Sequence, residues 1–258
     1  MAELDARRQK LKQDFTKARG YWSTLWDGLL ELSPDFFEAY LNFSSVPWRT
    51  GLLAPKIKEL IYVAIDAATT HLYAPGTRIH MRNALGYGAT KEEIMEVLQL
   101  TSALGIHAMS VGVPALIAEM QEAGRGAEVA PKPLSPYQER LKAEFTANRG
   151  YWSKDWEGLL QLSPEFFEAY VHLSSVPWKN GVLEPKIKEF VYIAIDASTT
   201  HLFLPGLRIH IQNALRYGAT VQEIMEVLQL TSVLGIHTIT EGVPILLDEF
   251  ARAAKPAG

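Results

Sequence analysis

Residues 33–40 read SPDFFEAY, and residues 163–170 read SPEFFEAY. The same offset of 130 residues relates EIMEVLQLTS at 93–102 to an identical stretch at 223–232. No gap is needed, and about 70% of the positions between 33 and 110 are identical in the second copy. Solenoid repeats have periods of roughly 20 to 50 residues, so this longer period indicates a whole duplicated domain.

The two copies are joined by a stretch with the composition of a linker. Residues 124–133 read GRGAEVAPKP, which is rich in Gly, Ala and Pro. We therefore predict a first domain over residues 1–123, a linker over 124–136 and a second domain over 137–258.

Each copy carries the start and stop signals of helices. Ser33 before Pro34 is an N-cap followed by proline at the first helical position, and Thr90 with Glu93 makes a capping box just after Gly88. The second copy repeats these signals 130 residues later. In the first copy, helices are predicted over residues 55–71, over 75–87 and from 91 onward. No stretch alternates as a strand does, so the predicted fold is all-α, with a compact bundle of five to seven helices in each copy.

Composition excludes several classes of function. The chain has 258 residues, a net charge of −4 and no cysteine. A thiolate nucleophile, a CxxC redox pair and a cysteine-ligated zinc are therefore excluded. The weakly acidic, evenly spread charge gives no footprint for nucleic acid or an anionic membrane. Residues 1–8 are charged rather than apolar, and no run of about 18 apolar residues occurs, so we expect a cytoplasmic protein without nucleic-acid or membrane partners.

Six of the seven histidines form three pairs that are related by the repeat. The pairs are His71 with His201, His80 with His210, and His107 with His237. Each histidine lies in or beside an apolar stretch, where a buried imidazole needs a partner for each nitrogen. Taken singly, His80 is also explained as a core histidine bonded to a neighbour, and His71 as a cation that the C-terminal helix dipole favours.

The order of the motifs resembles the carboxymuconolactone decarboxylase and alkyl hydroperoxidase D-like superfamily. In the first copy the resemblance rests on KELI at 58–61, RIHMRNAL at 78–85, GATKEEIMEVL at 88–98 and GI at 105–106. It covers roughly 60 to 80 residues of each copy, which makes it more specific than one short motif. The resemblance implies two tandem alkyl hydroperoxidase D-like helical bundles. Because single units of the superfamily assemble as trimers or hexamers, we expect a homo-oligomer, a trimer of tandem units.

The peroxidase branch of that superfamily uses a glutamate, a Cys-x-x-Cys pair and a histidine four residues beyond the second cysteine. Glu59 and His80 match the glutamate and the histidine, as Glu189 and His210 do in the second copy. Both cysteines are missing, and His71 falls at the place of the first one. Thiol peroxidase chemistry needs a thiolate, so we do not expect that activity.

The cysteine-free decarboxylase branch implies acid–base chemistry on a small carboxylated metabolite. Decarboxylation with double-bond migration needs a proton donor, a base and a cation that holds carboxylate oxygens. His80 or His210 would supply the acid and the base, and Arg78 or Arg208 would hold the carboxylate. We therefore favour an enzyme of lyase or isomerase type, with or without a metal ion. A solvated arginine on an exposed helix face is the other interpretation of Arg78 and Arg208.

A metal site is an alternative that needs no cysteine, although the sequence requires no cofactor. Three imidazoles and a carboxylate would suit a divalent metal with an open position for water or substrate. The candidate ligands are also the candidate catalytic residues: Glu59, His71, His80 and His107 in the first copy, and Glu189, His201, His210 and His237 in the second. No HExxH motif occurs, so only the fold can bring them together.

A catalytically silent oligomeric binding or assembly protein is the third interpretation. The motif RGYWS at 19–23 recurs at 149–153 and supplies aromatic side chains that pack between units or within the core. This interpretation predicts an oligomer that substitution of His80 and His210 leaves unaffected. The enzymatic interpretations predict lost turnover with the oligomer intact.

Overall fold

Every regular element of the computed structural model, which describes residues 5–253, is helical. The α-helices of the first copy are α1 (Ala6–Arg19), α2 (Asp27–Leu32), α3 (Pro34–Ser44), α4 (Val46–Thr50), α5 (Pro55–Ala67), α6 (Ala74–Gly86), α7 (Lys91–Ser102) and α8 (His107–Glu122). Those of the second copy are α9 (Pro136–Arg149), α10 (Asp155–Leu162), α11 (Pro164–Lys179), α12 (Pro185–Ala197), α13 (Leu204–Arg216), α14 (Val221–Ser232) and α15 (His237–Ala253). The predicted all-α fold with a tandem repeat is confirmed.

Most helix ends follow the signals in the sequence. Helix α7 begins with the predicted capping box, in which the Glu93 amide donates to Thr90 Oγ1 at 3.1 Å and the Thr90 amide donates to Glu93 Oε2 at 2.8 Å. Helix α5 is shorter than predicted, because the backbone becomes extended at Ala68 with ψ 137°. His71 consequently lies in a turn beyond α5, just before Leu72, whose φ of 51° is left-handed.

The two copies are interlocked through their last helices. Val113 on α8 belongs to a buried apolar cluster with Phe145 and Trp156 of the second copy. In the same way Ile236, just before α15, packs with Phe15 of the first copy. The apolar faces of α8 and α15 are therefore covered by the other copy.

Two buried ion pairs join the copies. Lys58 Nζ lies 2.8 Å from Glu226 Oε1, and Lys188 Nζ lies 2.8 Å from Glu96 Oε1. Glu96 also accepts from the backbone amide of Leu183 at 2.9 Å. Buried charges are tolerated when they are paired and hydrogen-bonded in this way. We call Lys58–Glu226 and Lys188–Glu96 the copy-joining ion pairs.

Two helical stretches, 91–122 and 221–253, are long and apolar enough to cross a membrane by length and composition alone. One third of the apolar window of each is buried in the described part of the chain. Core helices of soluble proteins pass the same test, and a 3₁₀ turn interrupts each stretch, at 103–106 and 233–236. The finding is weak support for a membrane span, and the expected cytoplasmic location stays a prediction.

Candidate active site

A buried carboxylate–imidazole pair links α5 to α6. His80 Nδ1 donates to Glu59 Oε2 at 2.5 Å, and Asn83 Nδ2 donates to Glu59 Oε1 at 3.4 Å. The Tyr62 ring stacks on the His80 ring with centroids 4.5 Å apart. These contacts fix the imidazole and leave Nε2 as the nitrogen that can exchange a proton.

The second copy has the same pair at nearly the same distances. His210 Nδ1 donates to Glu189 Oε2 at 2.6 Å, and Asn213 Nδ2 donates to Glu189 Oε1 at 3.3 Å. Tyr192 stacks on His210 at 4.4 Å. The chain therefore carries two equivalent carboxylate–imidazole pairs, the candidate acid–base pairs.

Each pair opens into a cavity whose walls come from both copies. The first cavity is lined by Tyr62 and His80 together with Leu234, Ile236 and His237 of the second copy. The second cavity combines His210 with His107 and other residues of the first copy. Each has a volume of about 40 Å³, which is room for about three water molecules. A substrate must therefore be small or displace lining side chains.

A buried arginine that sequence reasoning passed over lines each cavity. Arg19 is 3% exposed, and its guanidinium lies over the rings of Trp48 at 4.9 Å and Tyr62 at 5.3 Å. In the described part of the chain no carboxylate lies within 4 Å of it, and its Nε and Nη1 atoms have no hydrogen-bond partner. Arg149 is the equivalent residue, 5% exposed, and donates from Nη1 to Tyr192 Oη at 3.3 Å. A guanidinium in this setting can receive a carboxylate bidentately.

The predicted arginines lie elsewhere. Arg78 and Arg208 are exposed, and neither lines a cavity that contains His80 or His210. Arg78 instead borders an outer groove with Leu72. The structure therefore does not bring Arg78 or Arg208 to the acid–base pairs, because their positions on α6 and α13 face outward.

The other four of the six paired histidines meet across the two copies. We call them the exchanged histidines, because His107 and His237 each lie beside a histidine of the other copy. His71 Nε2 lies 2.7 Å from His237 Nδ1, and His201 Nε2 lies 2.7 Å from His107 Nδ1. The expected convergence of His71 with His107 is thereby corrected, as is that of His201 with His237. The reason is the interlocking, which carries the start of α8 and of α15 to the other copy.

Burial keeps the exchanged histidines neutral. It lowers the pKa of His237 to about 3, and nearby His71 and His80 add to the shift. Burial likewise lowers the pKa of His107 to about 3, with His201 and His210 contributing. At neutral pH both imidazoles therefore hold a lone pair rather than a second proton.

A buried aspartate that the sequence reasoning also missed lies between the acid–base pair and the exchanged histidines. Asp66 is 1% exposed, with Oδ2 3.8 Å from His80 Nε2 and Oδ1 3.7 Å from His237 Nδ1. Neither oxygen has a hydrogen-bond partner among the described residues. Burial raises the pKa of Asp66 to about 7, and burial with the Glu189 charge raises that of Asp196 to about 8. The signal was available, since Asp66 lies seven residues after Glu59 on one face of an apolar helix.

The two sites differ in how the exchanged histidine is held. Tyr73 stacks on His237 at 3.9 Å, and its hydroxyl lies 2.6 Å from Thr240 Oγ1. In the second site Phe203 stacks on His107 at 3.8 Å and has no hydroxyl to make this bond.

Comparison with known proteins agrees with the fold and with the motifs. The model of the carboxymuconolactone decarboxylase family matches residues 34–118 and 164–244, one segment in each copy. The structure is similar, with a TM-score of 0.92 and 50% sequence identity, to a crystal structure from Burkholderia xenovorans LB400 that is provisionally described as a gamma-carboxymuconolactone decarboxylase subunit. The match covers 96% of this chain and 98% of that chain. No curated protein matches the chain significantly. Because the family model matches both copies over more than half of the sequence, the chain belongs to the carboxymuconolactone decarboxylase family, as a tandem member without cysteine.

Proposed function

We propose that the chain is a carboxymuconolactone decarboxylase-like enzyme that performs acid–base chemistry of the lyase or isomerase type on a small carboxylated metabolite. One observation carries the proposal: the histidine of a buried Glu–His pair lines a cavity together with a buried arginine that has no carboxylate partner among residues 5–253. The arrangement occurs twice, as Glu59, His80 and Arg19 and as Glu189, His210 and Arg149. A substrate carboxylate would supply the missing negative charge.

The pair is suited to proton transfer. Glu59 holds Nδ1 of His80, so Nε2 is the atom that would give or take a proton. In a decarboxylation the bond to the carboxylate carbon breaks and carbon dioxide leaves. The electron pair moves into the adjacent unsaturated system, and His80 donates a proton to the far carbon. An isomerisation would use the same atom first as base and then as acid, with no carbon dioxide released.

The relative's description suggests the first substrate to test. We would incubate the protein in deuterium oxide with gamma-carboxymuconolactone and with smaller unsaturated lactone carboxylates, following deuterium incorporation and product by proton NMR. Wild-type protein is expected to accelerate exchange or loss of carbon dioxide. His80→Gln or His210→Gln alone should leave one working site. Their combination should lower the rate by roughly 10²- to 10⁴-fold, because that is the usual contribution of a positioned acid or base.

His172→Gln is the matched control, because His172 is exposed and has no histidine at the equivalent position 42. It should retain the wild-type rate. A double variant that keeps full turnover would contradict the assigned acid–base pair. Wild-type protein that neither exchanges nor converts any probe would favour the catalytically silent assembly protein. Sedimentation velocity on the same samples tests the expected trimer of tandem units and shows whether the variants retain the assembly.

A further inference from the structure

We propose that each pair of exchanged histidines, together with one buried aspartate, binds a divalent transition-metal cation. The first crossed cluster is Asp66, His71 and His237, and the second is Asp196, His201 and His107. Each draws its ligands from both copies. The proposal goes beyond the proposed function and does not depend on it, because a cation can bind whether or not His80 transfers protons.

The ligand atoms are close enough to share one ion. In the first cluster His71 Nε2 and His237 Nδ1 are 2.7 Å apart, and Asp66 Oδ1 is 3.7 Å from the same Nδ1. All three ligand atoms lie within 4.8 Å of one another. With metal–nitrogen distances of about 2.0 Å, tetrahedral ligands are separated by about 3.3 Å. Changes of about half an ångström would bring both measured separations, 2.7 Å and 3.7 Å, to this value. Three protein ligands would leave a fourth position for water or substrate.

The charge of Asp66 supports a cation independently of the histidine geometry. A carboxylate that is 1% exposed and has no hydrogen-bond partner for either oxygen among the described residues is costly to bury. A divalent ion bound to it would remove that cost. Such ions bind neutral imidazole, so the nitrogen 3.7 Å away is a suitable second ligand.

A glycine lies against the carboxylate of the buried aspartate in each cluster. A Cβ atom on Gly76 would lie 2.1 Å from Asp66 Oδ2, and one on Gly206 would lie 2.2 Å from Asp196 Oδ2. Any other residue at position 76 would therefore collide with the carboxylate, so glycine lets α6 approach it closely.

The second cluster repeats the first. His201 Nε2 and His107 Nδ1 are 2.7 Å apart, and Asp196 Oδ1 is 3.9 Å from His107 Nδ1. Both oxygens of Asp196 also lack hydrogen-bond partners in the part of the chain that is described.

The donor set points to the class of ion. Two imidazole nitrogens and one carboxylate oxygen, without thiolate, suit zinc, iron(II), manganese, cobalt or nickel. Glu59 and His80 are not in this set, because they bond to each other at 2.5 Å. The ion would nevertheless lie beside the acid–base pair, since Asp66 reaches toward His80 as well.

Cobalt(II) is the probe for the test, because it substitutes for zinc and has a visible absorption that reports its ligands. Untagged full-length protein would be stripped with a chelator, titrated with cobalt(II) and desalted, with bound metal counted by plasma mass spectrometry. We expect two ions per chain. His71→Gln should leave one ion, and His71→Gln with His201→Gln should leave none, whereas His172→Gln should bind two.

A second set of variants guards against misfolding of the histidine variants. Asp66→Asn with Asp196→Asn should weaken cobalt(II) binding at least about tenfold, with helical circular dichroism unchanged. His80→Gln should retain two ions, which separates this site from the acid–base pair. Wild-type protein that takes up no cobalt(II) at micromolar concentration would overturn the proposal. So would a double histidine variant that still binds two ions, a double aspartate variant that binds cobalt(II) as tightly as wild type, or loss of both ions in His80→Gln with His210→Gln.

Discussion

Arg19 and Arg149 are buried, and no carboxylate of the described chain pairs with either of them. Their contacts in the structure are mainly the faces of aromatic rings, among them Trp48 and Tyr62 for Arg19 and Trp178 and Tyr192 for Arg149. Cation–π contacts of this kind return only part of the hydration that a buried guanidinium loses. Residues kept at the expense of stability are typical of binding and catalytic sites.

We predict that Arg19→Met raises the free energy of unfolding of ligand-free protein by about 1 to 3 kcal/mol. The apolar side chain fills similar space and removes a desolvated charge. Equilibrium urea unfolding measures the effect. Arg78→Met is the control, because Arg78 is exposed and should change stability by less than about 0.5 kcal/mol. A large loss of stability in Arg19→Met would mean that the ring contacts outweigh the burial of charge.

Site residues that belong to a linear sequence motif could be predicted. Site residues that reach the site only through the folding of distant segments could not. Glu59 and His80 follow from the family motif. Arg19 becomes visible only when α1 is seen at the cavity, because nothing in the spacing joins position 19 to position 80. Asp66 shares a helix face with Glu59, but nothing in the sequence joins it to His237. The motif RGYWS was noticed for its aromatic side chains, while its arginine is the residue that lines the cavity.

Helix ends could be predicted where short-range hydrogen bonds determine them. The capping boxes at Thr90 and Thr220 were predicted because the contacts that make them lie within four residues. Ser33 is the exception, since its side chain makes no capping hydrogen bond and Pro34 alone marks the start of α3. The end of α5 was misjudged because residues 68–71, ATTH, contain neither glycine nor proline to mark a stop. Only the turn that carries His71 toward the other copy ends the helix.

Glu93 gives the capping box a pH dependence. Burial alone would raise its pKa, but hydrogen bonds from Lys56 and from the Thr90 amide hold the pKa below its ordinary value of 4.5. A lowered folded-state pKa contributes stability above the unfolded value, and that stability is lost as the pH falls through the folded value.

We therefore predict that Glu93→Gln destabilises the protein by about 1 kcal/mol at pH 7 and that the difference from wild type shrinks below about pH 4. Thermal unfolding across a pH series measures it. Glu92→Gln is the matched control, because Glu92 is exposed and the second copy already has Gln222 there. An equal loss at every pH would show that the ion pair with Lys56 and the charged cap contribute nothing.

The exchange of terminal helices is a property of the whole molecule that the sequence could not reveal. The two copies are about 70% identical between residues 33 and 110. Helix α8 therefore meets nearly the same apolar surface on its own copy as on the other, and hydrophobic patterning cannot distinguish the two. The copy on which α8 packs determines whether His107 lies beside His71 or beside His201. The residues of each site could therefore not be assigned from the sequence.

We predict that residues 1–130 expressed alone do not form a folded monomer. The fragment leaves Lys58 and Glu96 without their partners in the copy-joining ion pairs and exposes the apolar face of α8. Two fragments can restore both pairs, because Glu96 occupies the position equivalent to Glu226. Light scattering after size exclusion should show a dimer at least, with unfolding that depends on protein concentration. A stable folded monomer would contradict the interlocked arrangement.

Fusion of the copies has a consequence for how the two cavities can change through evolution. In a dimer of identical subunits every substitution appears in both cavities at once, so neither can alter without the other. A single chain with two copies removes that constraint. The hydroxyl pair Tyr73 and Thr240 in one cavity, set against Phe203 in the other, is a difference that a symmetric dimer could not encode. One gene duplication thus gives a lineage two cavities that are free to acquire different ligand preferences while sharing one scaffold.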